Sequence, residues 1–203
     1  RAREHFERRS FDAVIDVSPY KGSELLEVLR DLGVPTVLCG QLEGHPYRDV
    51  FSTVYSDDEE GGHFAALAMK ERGRKDIVAV LGPQDNPAVV DRLRGYRAVL
   101  GEDLPDANVI YTGWNNGDGY QAMHQILARE IAFDGVLCGS DRIAAGVITA
   151  LNEAGLSVPA DVSVVGFDDH EIATRCVPAL TTVRQPLREE GHMAANIALD
   201  MIK

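Results

Sequence analysis

The chain of 203 residues carries 32 acidic and 20 basic side chains, which gives a formal net charge of −12. A surface this acidic repels phosphate backbones, so these residues are not expected to bind nucleic acid themselves. Hydrophobic residues make up 45% of the chain, as in ordinary globular domains. No apolar run approaches the roughly 20 residues that span a bilayer, so no membrane association is expected. The length allows one large domain or two small ones.

The predicted elements alternate between strands and helices. In chain order, the predicted strands are residues 13–17, 36–39, 50–55, 77–81, 109–111, 135–138 and 162–167. The predicted helices are residues 23–32, 56–72, 89–100, 120–129, 143–154 and 187–202. Gly33, Gly73 and Gly155 follow three of these helices and are expected to end them. This alternation indicates a doubly wound α/β fold.

The chain opens with Arg1-Ala-Arg-Glu-His5, without a Met, in a sequence typical of the middle of a helix. We therefore interpret it as a fragment whose N-terminus lies elsewhere. Cys39, Cys138 and Cys176 have no framework spacing, which indicates reduced, buried thiols in a cytoplasmic protein. The six His residues show no metal-ligand spacing, and no nucleophile elbow or Cys–His signature indicates an enzyme.

Residues 133–186 form the most informative stretch. Two apolar runs, 135–138 and 162–167, enclose a helical pattern, which predicts a βαβ unit. Ser140 and Asp141 follow the first run, and Asp168 follows the second. Because ligands bind outside the carboxyl ends of strands in open parallel sheets, this stretch is expected to build one wall of a pocket.

Some of the candidate residues have two possible roles. The acids Asp57-Asp-Glu-Glu60 could bind a metal ion, but a helix N-terminus explains them better, because its dipole and free N–H groups favour acids. Ser140 or Asp141 would cap the helix that follows, and capping is compatible with lining a pocket. Asp16, inside an apolar run, either faces a cleft at a strand end or pairs locally.

Two further residue types are ambiguous on the sequence alone. The loop of residues 113–119 is glycine-rich but lacks the spacing of phosphate-binding loops, so we interpret it as a turn. It contains Trp114, the only tryptophan; a tryptophan is more often a core or rim residue than a ligand platform, but the place of Trp114 in a loop after a strand shifts the balance toward ligand contact. Arg92 and Arg94 follow Gly82-Pro83 in a predicted helix, where most arginines are solvated charges.

Six motifs carry a resemblance that covers nearly the whole chain. They are Asp58-Glu-Glu-Gly-Gly62, Gly82-Pro83, Arg92-Leu-Arg-Gly-Tyr96, Asp134-Gly-Val-Leu-Cys-Gly-Ser-Asp-Arg142, Leu151-Asn-Glu-Ala-Gly-Leu-Ser-Val-Pro-Ala-Asp-Val-Ser-Val-Val-Gly-Phe-Asp-Asp169 and Pro178-Ala-Leu-Thr-Thr-Val-Arg-Gln-Pro186. Together they resemble the lactose-repressor/galactose-repressor family of bacterial transcription regulators.

The resemblance implies an α/β periplasmic-binding-protein-like fold with two Rossmann-like parallel-sheet subdomains and an effector in the cleft between them. By this likeness residues 1–56 and 186–203 belong to the N-terminal subdomain, which is incomplete, and residues 57–185 to the C-terminal one. The family's DNA-binding helix-turn-helix, its hinge helix and its first βαβ unit would lie outside this chain.

Carried over position by position, the expected effector contacts are Arg92, Trp114, Ser140, Asp141, Asp168 and Gln185. Family members often have Asn where this chain has Ser140, so the effector need not be the commonest sugar type. Asp and Arg match adjacent sugar hydroxyls. An aromatic face would pack on a pyranose or stack on a purine equally well. The resemblance therefore implies a sugar or a nucleoside-like effector.

The resemblance also implies a cytoplasmic homodimeric repressor that binds operator DNA and needs no cofactor. The predicted helix after residue 58 is apolar around much of its circumference, as a dimer interface would require, at Phe64, Ala65, Leu67, Ala68 and Met69. A periplasmic sugar-binding protein of a transporter shares the fold and is the main alternative. A metabolic enzyme of Rossmann type lacks any cofactor fingerprint here.

Overall fold

The computed structural model describes residues 11–17, 19, 24–41, 47–129 and 131–203. The helix-like opening at Arg1–His5 and the middle of the loop after the second strand lie outside the described residues. The chain divides into two compact units. One comprises the described residues up to Ser56 together with Pro186–Lys203, and the other is Asp57–Gln185.

The described elements alternate along the chain as an α/β fold requires. They are β1 (Val14–Asp16), α1 (Glu24–Asp31), β2 (Thr36–Cys39), β3 (Ser52–Val54), α2 (Asp58–Glu71), β4 (Ile77–Leu81), α3 (Pro87–Leu100), β5 (Val109–Tyr111), α4 (Asn116–Leu127), β6 (Gly135–Cys138), α5 (Asp141–Glu153), β7 (Ser163–Asp168), α6 (Ile172–Arg175), β8 (Thr181–Arg184) and α7 (Leu187–Met201). In this described part of the chain, no helix has the length and apolarity that crossing a membrane requires.

The first unit is built on a parallel sheet in the order β1-β2-β3. Successive residues of β2 face opposite sides of the sheet. Val37 packs with Ala194 and Ala198 of α7, whereas Leu38 packs with Leu26 of α1. Among the described elements, α7 therefore covers one face of this sheet and α1 covers the other.

The second unit is built on a parallel sheet in the order β5-β4-β6-β7-β8. The interior strand β4 is buried along its whole length. Ile77, Ala79 and Leu81 pack into the core beneath α2 and α3, and Val78 and Val80 pack into the core beneath α4 and α5. The chain leaves β4 toward β5 and continues from β6 in the opposite direction, so the topological switch point lies between β4 and β6.

Glycines allow the helices on each face to lie backbone to backbone. A Cβ added at Gly95 of α3 would lie 2.0 Å from the carbonyl oxygen of Glu59 in α2. A Cβ added at Gly146 of α5 would lie 1.9 Å from the carbonyl oxygen of Asn116 in α4. Both helix pairs therefore depend on a residue without a side chain at the point of closest approach.

Most predicted elements are present, and Gly33, Gly73 and Gly155 follow their helices with positive φ, as expected. The turn predicted at residues 113–119 is wrong in its second half, because α4 begins at Asn116. There the Asp118 carboxylate accepts a hydrogen bond from the backbone N–H of Asn115 at 2.8 Å, which fixes the first turn.

Besides two short 3-10 helices at Gly101–Asp103 and Asp106–Asn108, two elements of the second unit were not predicted. The short helix α6 follows β7, and β8 pairs with β7 in parallel at the edge of the sheet. Three β-branched residues, Thr181, Thr182 and Val183, favour an extended conformation in β8. The strand is only half-buried, so it lacks the continuous apolar run that identifies the central strands.

Candidate functional site

Arg92 is buried in the second unit, with a side chain only 5% exposed. Its Nε donates to Oδ1 of Asp58 at 2.7 Å, and one terminal nitrogen donates to the carbonyl of Gly139. The same nitrogen lies 3.6 Å from Oδ1 of Asp168. The guanidinium carbon lies 3.7 Å from the centroid of the Phe167 ring, a cation–π contact. The interpretation of Arg92 as a solvated charge is therefore wrong.

The Phe167 ring has its own space requirement. A Cβ added at Gly61 in the first turn of α2 would lie 2.6 Å from the end of this ring. The absence of a side chain at Gly61 therefore leaves space for the Phe167 ring that packs against the Arg92 guanidinium. This contact gives a physical reason for the glycine that follows the acidic run in the Asp58–Gly62 motif.

Asp168 ends β7 in an unusual conformation. Its φ is +112°, a region that L side chains rarely adopt and that costs on the order of 1–3 kcal/mol. Nε2 of Gln185 donates to Oδ1 of Asp168 at 2.6 Å, and Arg92 faces the same oxygen. Burial raises the pKa of Asp168 to about 6, although the positive charge of Arg92 opposes this shift. The carboxyl group is thus held by two partners in a strained and partly desolvated position.

Ser140 and Asp141 have separate roles at the start of α5. Oγ of Ser140 accepts from the backbone N–H of Ile143 at 3.2 Å, so Ser140 is the helix cap. Asp141 is fully buried, and its carboxylate accepts from Oγ1 of Thr182 at 2.6 Å and from the backbone N–H of His170 at 2.7 Å. Burial raises the pKa of Asp141, and these hydrogen bonds oppose the shift. Asp141 therefore ties β8 and the segment after β7 to α5.

Trp114 follows β5 and is half-buried. Its ring lies over Gly82, directly after β4, where an added Cβ would be 2.5 Å from the ring. It packs against the cores on both faces of the sheet. The carboxyl end of β4 also approaches Gly139, whose added Cβ would lie 3.0 Å from the backbone nitrogen of Gly82. Trp114 therefore lies at the carboxyl edge of the sheet, at the switch point.

The structure brings Arg92, Asp168 and Gln185 into one connected group, and places Ser140, Asp141 and Trp114 at the same carboxyl edge. Asp58 and Phe167 were missed as members of this group.

Asp57 is the N-terminal cap of α2, with Oδ1 accepting from the backbone N–H of Glu60 at 2.8 Å, as the helix-terminus interpretation predicts. The helix-terminus interpretation did not predict that the next residue, Asp58, pairs with Arg92, because no sequence spacing links these two residues. Within the described residues, no cluster of three His, Cys, Asp or Glu side chains could hold a metal ion.

The sequence profile of the periplasmic binding protein-like domain matches residues 66–203. The chain belongs to this family. Its solved relatives include the transcriptional regulator CelR in complex with cellobiose, with a TM-score of 0.93 and 32% identity, covering 98% of this chain and 62% of that one. A LacI family regulator from Enterococcus faecalis V583 with bound ribose has a TM-score of 0.85 and 29% identity, covering 98% of this chain and 72% of that one.

Curated relatives of this periplasmic-binding-protein-like chain are transcription regulators. The HTH-type transcriptional repressor PurR of Pectobacterium atrosepticum is 38% identical over 183 residues, which cover 88% of this chain and 53% of the relative. The HTH-type transcriptional regulator CelR of Thermobifida fusca is 34% identical over 194 residues, which cover 94% of this chain and 57% of the relative. The resemblance to the lactose-repressor/galactose-repressor family is confirmed. The chain spans about half the length of these relatives.

Proposed function

We propose that this chain is the effector-binding part of a transcriptional repressor that responds to a small molecule. The protein would work in the cytoplasm and bind operator DNA through a helix-turn-helix segment outside these 203 residues. The similarity to HTH-type regulators over most of the chain supports this proposal and favours it over a periplasmic sugar-binding protein. We propose no enzymatic step, because the relatives are regulators.

The arrangement around Arg92 is the observation that carries the ligand assignment. A buried guanidinium lies against an aromatic ring and between two carboxylates, at the carboxyl edge where α/β sheets bind ligands. These carboxylates leave no free positive charge on Arg92 for an anion, so the group suits an uncharged ligand that offers both donors and acceptors. Sugars have adjacent hydroxyls of this kind. We propose that the effector contacts come from Arg92, Trp114, Ser140, Asp168 and Gln185.

Asp141 has a supporting role in this proposal. Its carboxylate is fully buried and already accepts two hydrogen bonds, from Thr182 and His170. It would therefore hold the segment beside Asp168 in place and would not itself touch the effector. A nucleoside-like effector is the second candidate, because the Trp114 ring could stack on a base as well as on a pyranose.

We also propose that the protein is a homodimer, although α2 offers less support than its sequence suggested. Ala65 and Met69 are buried in the core of the unit, and Leu67 and Ala68 are half-buried. Only Phe64 of that set is exposed, at 54%. The proposal therefore rests on the family likeness. A purely monomeric mass in light scattering of the intact protein at micromolar concentration would contradict it.

The fluorescence of Trp114 provides a test of the proposed ligand class. As the only tryptophan of the chain, it reports on its own surroundings. Titration with a panel of uncharged sugars, including cellobiose and ribose, and of nucleosides should give a saturable change in emission with at least one member. Saturable emission changes with charged metabolites alone, and with no member of the uncharged panel, would contradict the proposed function.

A further inference from the structure

Asp58 makes the shortest ion pair of Arg92 in the described structure, at a different guanidinium nitrogen from the one that faces Asp168. It accepts from Nε at 2.7 Å, whereas Asp168 faces a terminal nitrogen at 3.6 Å. The Asp58 side chain is only 10% exposed. Arg92 therefore makes its shortest ion pair with a residue outside the set of proposed effector contacts.

The surroundings of Asp168 are rich in acids. The charged or titratable groups that act on it are Arg92 and Tyr96 from α3, Asp58 from α2 and Asp141 from α5. On β8, the exposed Arg184 is the register partner of Asp168, and Gln185 donates to Asp168 from the next residue. Arg92 is the only buried cation in this set. Two carboxylates share its charge directly and a third lies nearby, so the group has an excess of negative charge whenever Asp168 is ionised.

We propose that Asp58 is a positioning and specificity-determining residue. It fixes the Arg92 guanidinium and neutralises its charge, so that the site accepts uncharged polyols and rejects their phosphorylated forms. This inference rests on the proposed function, because it specifies the charge of the ligand for the same site. It goes beyond that function because it assigns the discrimination between uncharged and phosphorylated ligands to a residue that does not touch the ligand.

The physical reason lies in the cost of burying charge. A phosphate ester would bring up to two negative charges to a group that already has more carboxylates than cations, and a buried unpaired charge is strongly unfavourable. An uncharged sugar exchanges hydrogen bonds only. With Asp58 made neutral, the charge of Arg92 would be available to Asp168 and to an incoming anion.

An NMR titration of the aspartate carboxyl carbons in the full chain tests the proposed electrostatic role of Asp58 in the absence of any ligand. In the wild type, Asp168 should titrate near pH 6. In Asp58→Asn, its proton affinity should fall by at least about ten-fold, because Arg92 then stabilises the ionised Asp168 more strongly. Unchanged titration of Asp168 in this variant would overturn the proposal.

Glu59→Gln is the matched control. It removes the same charge from the next residue, which pairs with Arg94 at the surface. Because exposed charges are screened by solvent and salt, this variant should leave the proton affinity of Asp168 within about two-fold of the wild type. An equal effect of both substitutions would show that only the overall charge matters, and the role of Asp58 would be refuted.

A second arm uses pairs of probes that differ only in charge, ribose with ribose 5-phosphate and glucose with glucose 6-phosphate. The wild type should bind each phosphate ester at least about ten-fold more weakly than its parent sugar, and Asp58→Asn should narrow this ratio. If the wild type bound the phosphate esters as tightly as the parent sugars or more tightly, the proposed specificity for uncharged ligands would be overturned. If neither these sugars nor the wider panel bind, the proposed sugar function fails, while the NMR titration still decides the role of Asp58.

Discussion

Asp168 joins two unfavourable features, a positive φ and a partly desolvated carboxyl group. Its folded pKa of about 6 exceeds its usual value of 3.8. Between these values the folded state holds the proton more tightly than the unfolded state, so this group's contribution to stability is present at low pH and is lost as pH rises through about 6. At neutral pH the ionised carboxylate therefore costs stability, which a binding site can tolerate in return for function.

Asp168→Asn should remove that cost. We expect the variant to gain about 1–3 kcal/mol in the free energy of unfolding at about pH 7.5 and much less at about pH 4.5, by urea denaturation at both values. The exposed neighbour Asp169, whose φ is also positive, gives the matched control Asp169→Asn, with no such pH-dependent gain. A loss of stability at pH 7.5 would mean that the bonds from Arg92 and Gln185 outweigh the desolvation.

The same residues show how far sequence reasoning reaches at this scale. The sequence alone predicted that Ser140, Asp141 and Asp168 lie at a sheet edge. These residues follow predicted strands, and the inference needs only the positions of those strands. Arg92 looked like a surface charge, since its partners Asp58 and Gly139 lie 34 and 47 residues away along the chain. Only the family resemblance identified it as a site residue. Contacts made by the tertiary fold leave no local pattern.

At the scale of elements, close helix packing depends on single glycines. The α2–α3 pair has Gly95 at its contact, and the α4–α5 pair has Gly146. Central strands and amphipathic helices were predictable because burial on two faces or one face leaves a clear periodicity. The start of α4 and the edge strand β8 were not, because a capping interaction and a half-buried edge give weaker signals.

Gly95→Ala and Gly146→Ala should each destabilise the second unit. The added methyl group would overlap a backbone oxygen of the facing helix, and forcing the helices apart should cost about 1–3 kcal/mol or more in urea unfolding. Gly117→Ala in α4 is the control, because its added Cβ meets no atom within 4 Å. It should be neutral or stabilise by up to about 1 kcal/mol. Equal effects at all three positions would contradict this packing account.

At the scale of the whole molecule, the second unit holds the five proposed effector contacts and the supporting residue Asp141 at the carboxyl edge of one sheet. The alternation of strands and helices predicted this fold class from sequence. The two-unit division and the family required long motifs, since many unrelated proteins share the same alternation. The central claim is that this edge binds an uncharged, hydroxyl-rich effector through Arg92.

Calorimetric titration of Arg92→Ala with the tightest ligand of the wild type tests that claim most directly. Loss of a charge-assisted hydrogen bond should cost about 1.5–3 kcal/mol, or ten-fold to more than a hundred-fold in affinity. Arg94→Ala, which truncates the half-exposed arginine two residues away, should bind like the wild type, and circular dichroism should show both variants folded. Equal affinity of Arg92→Ala and the wild type for that ligand would contradict the account.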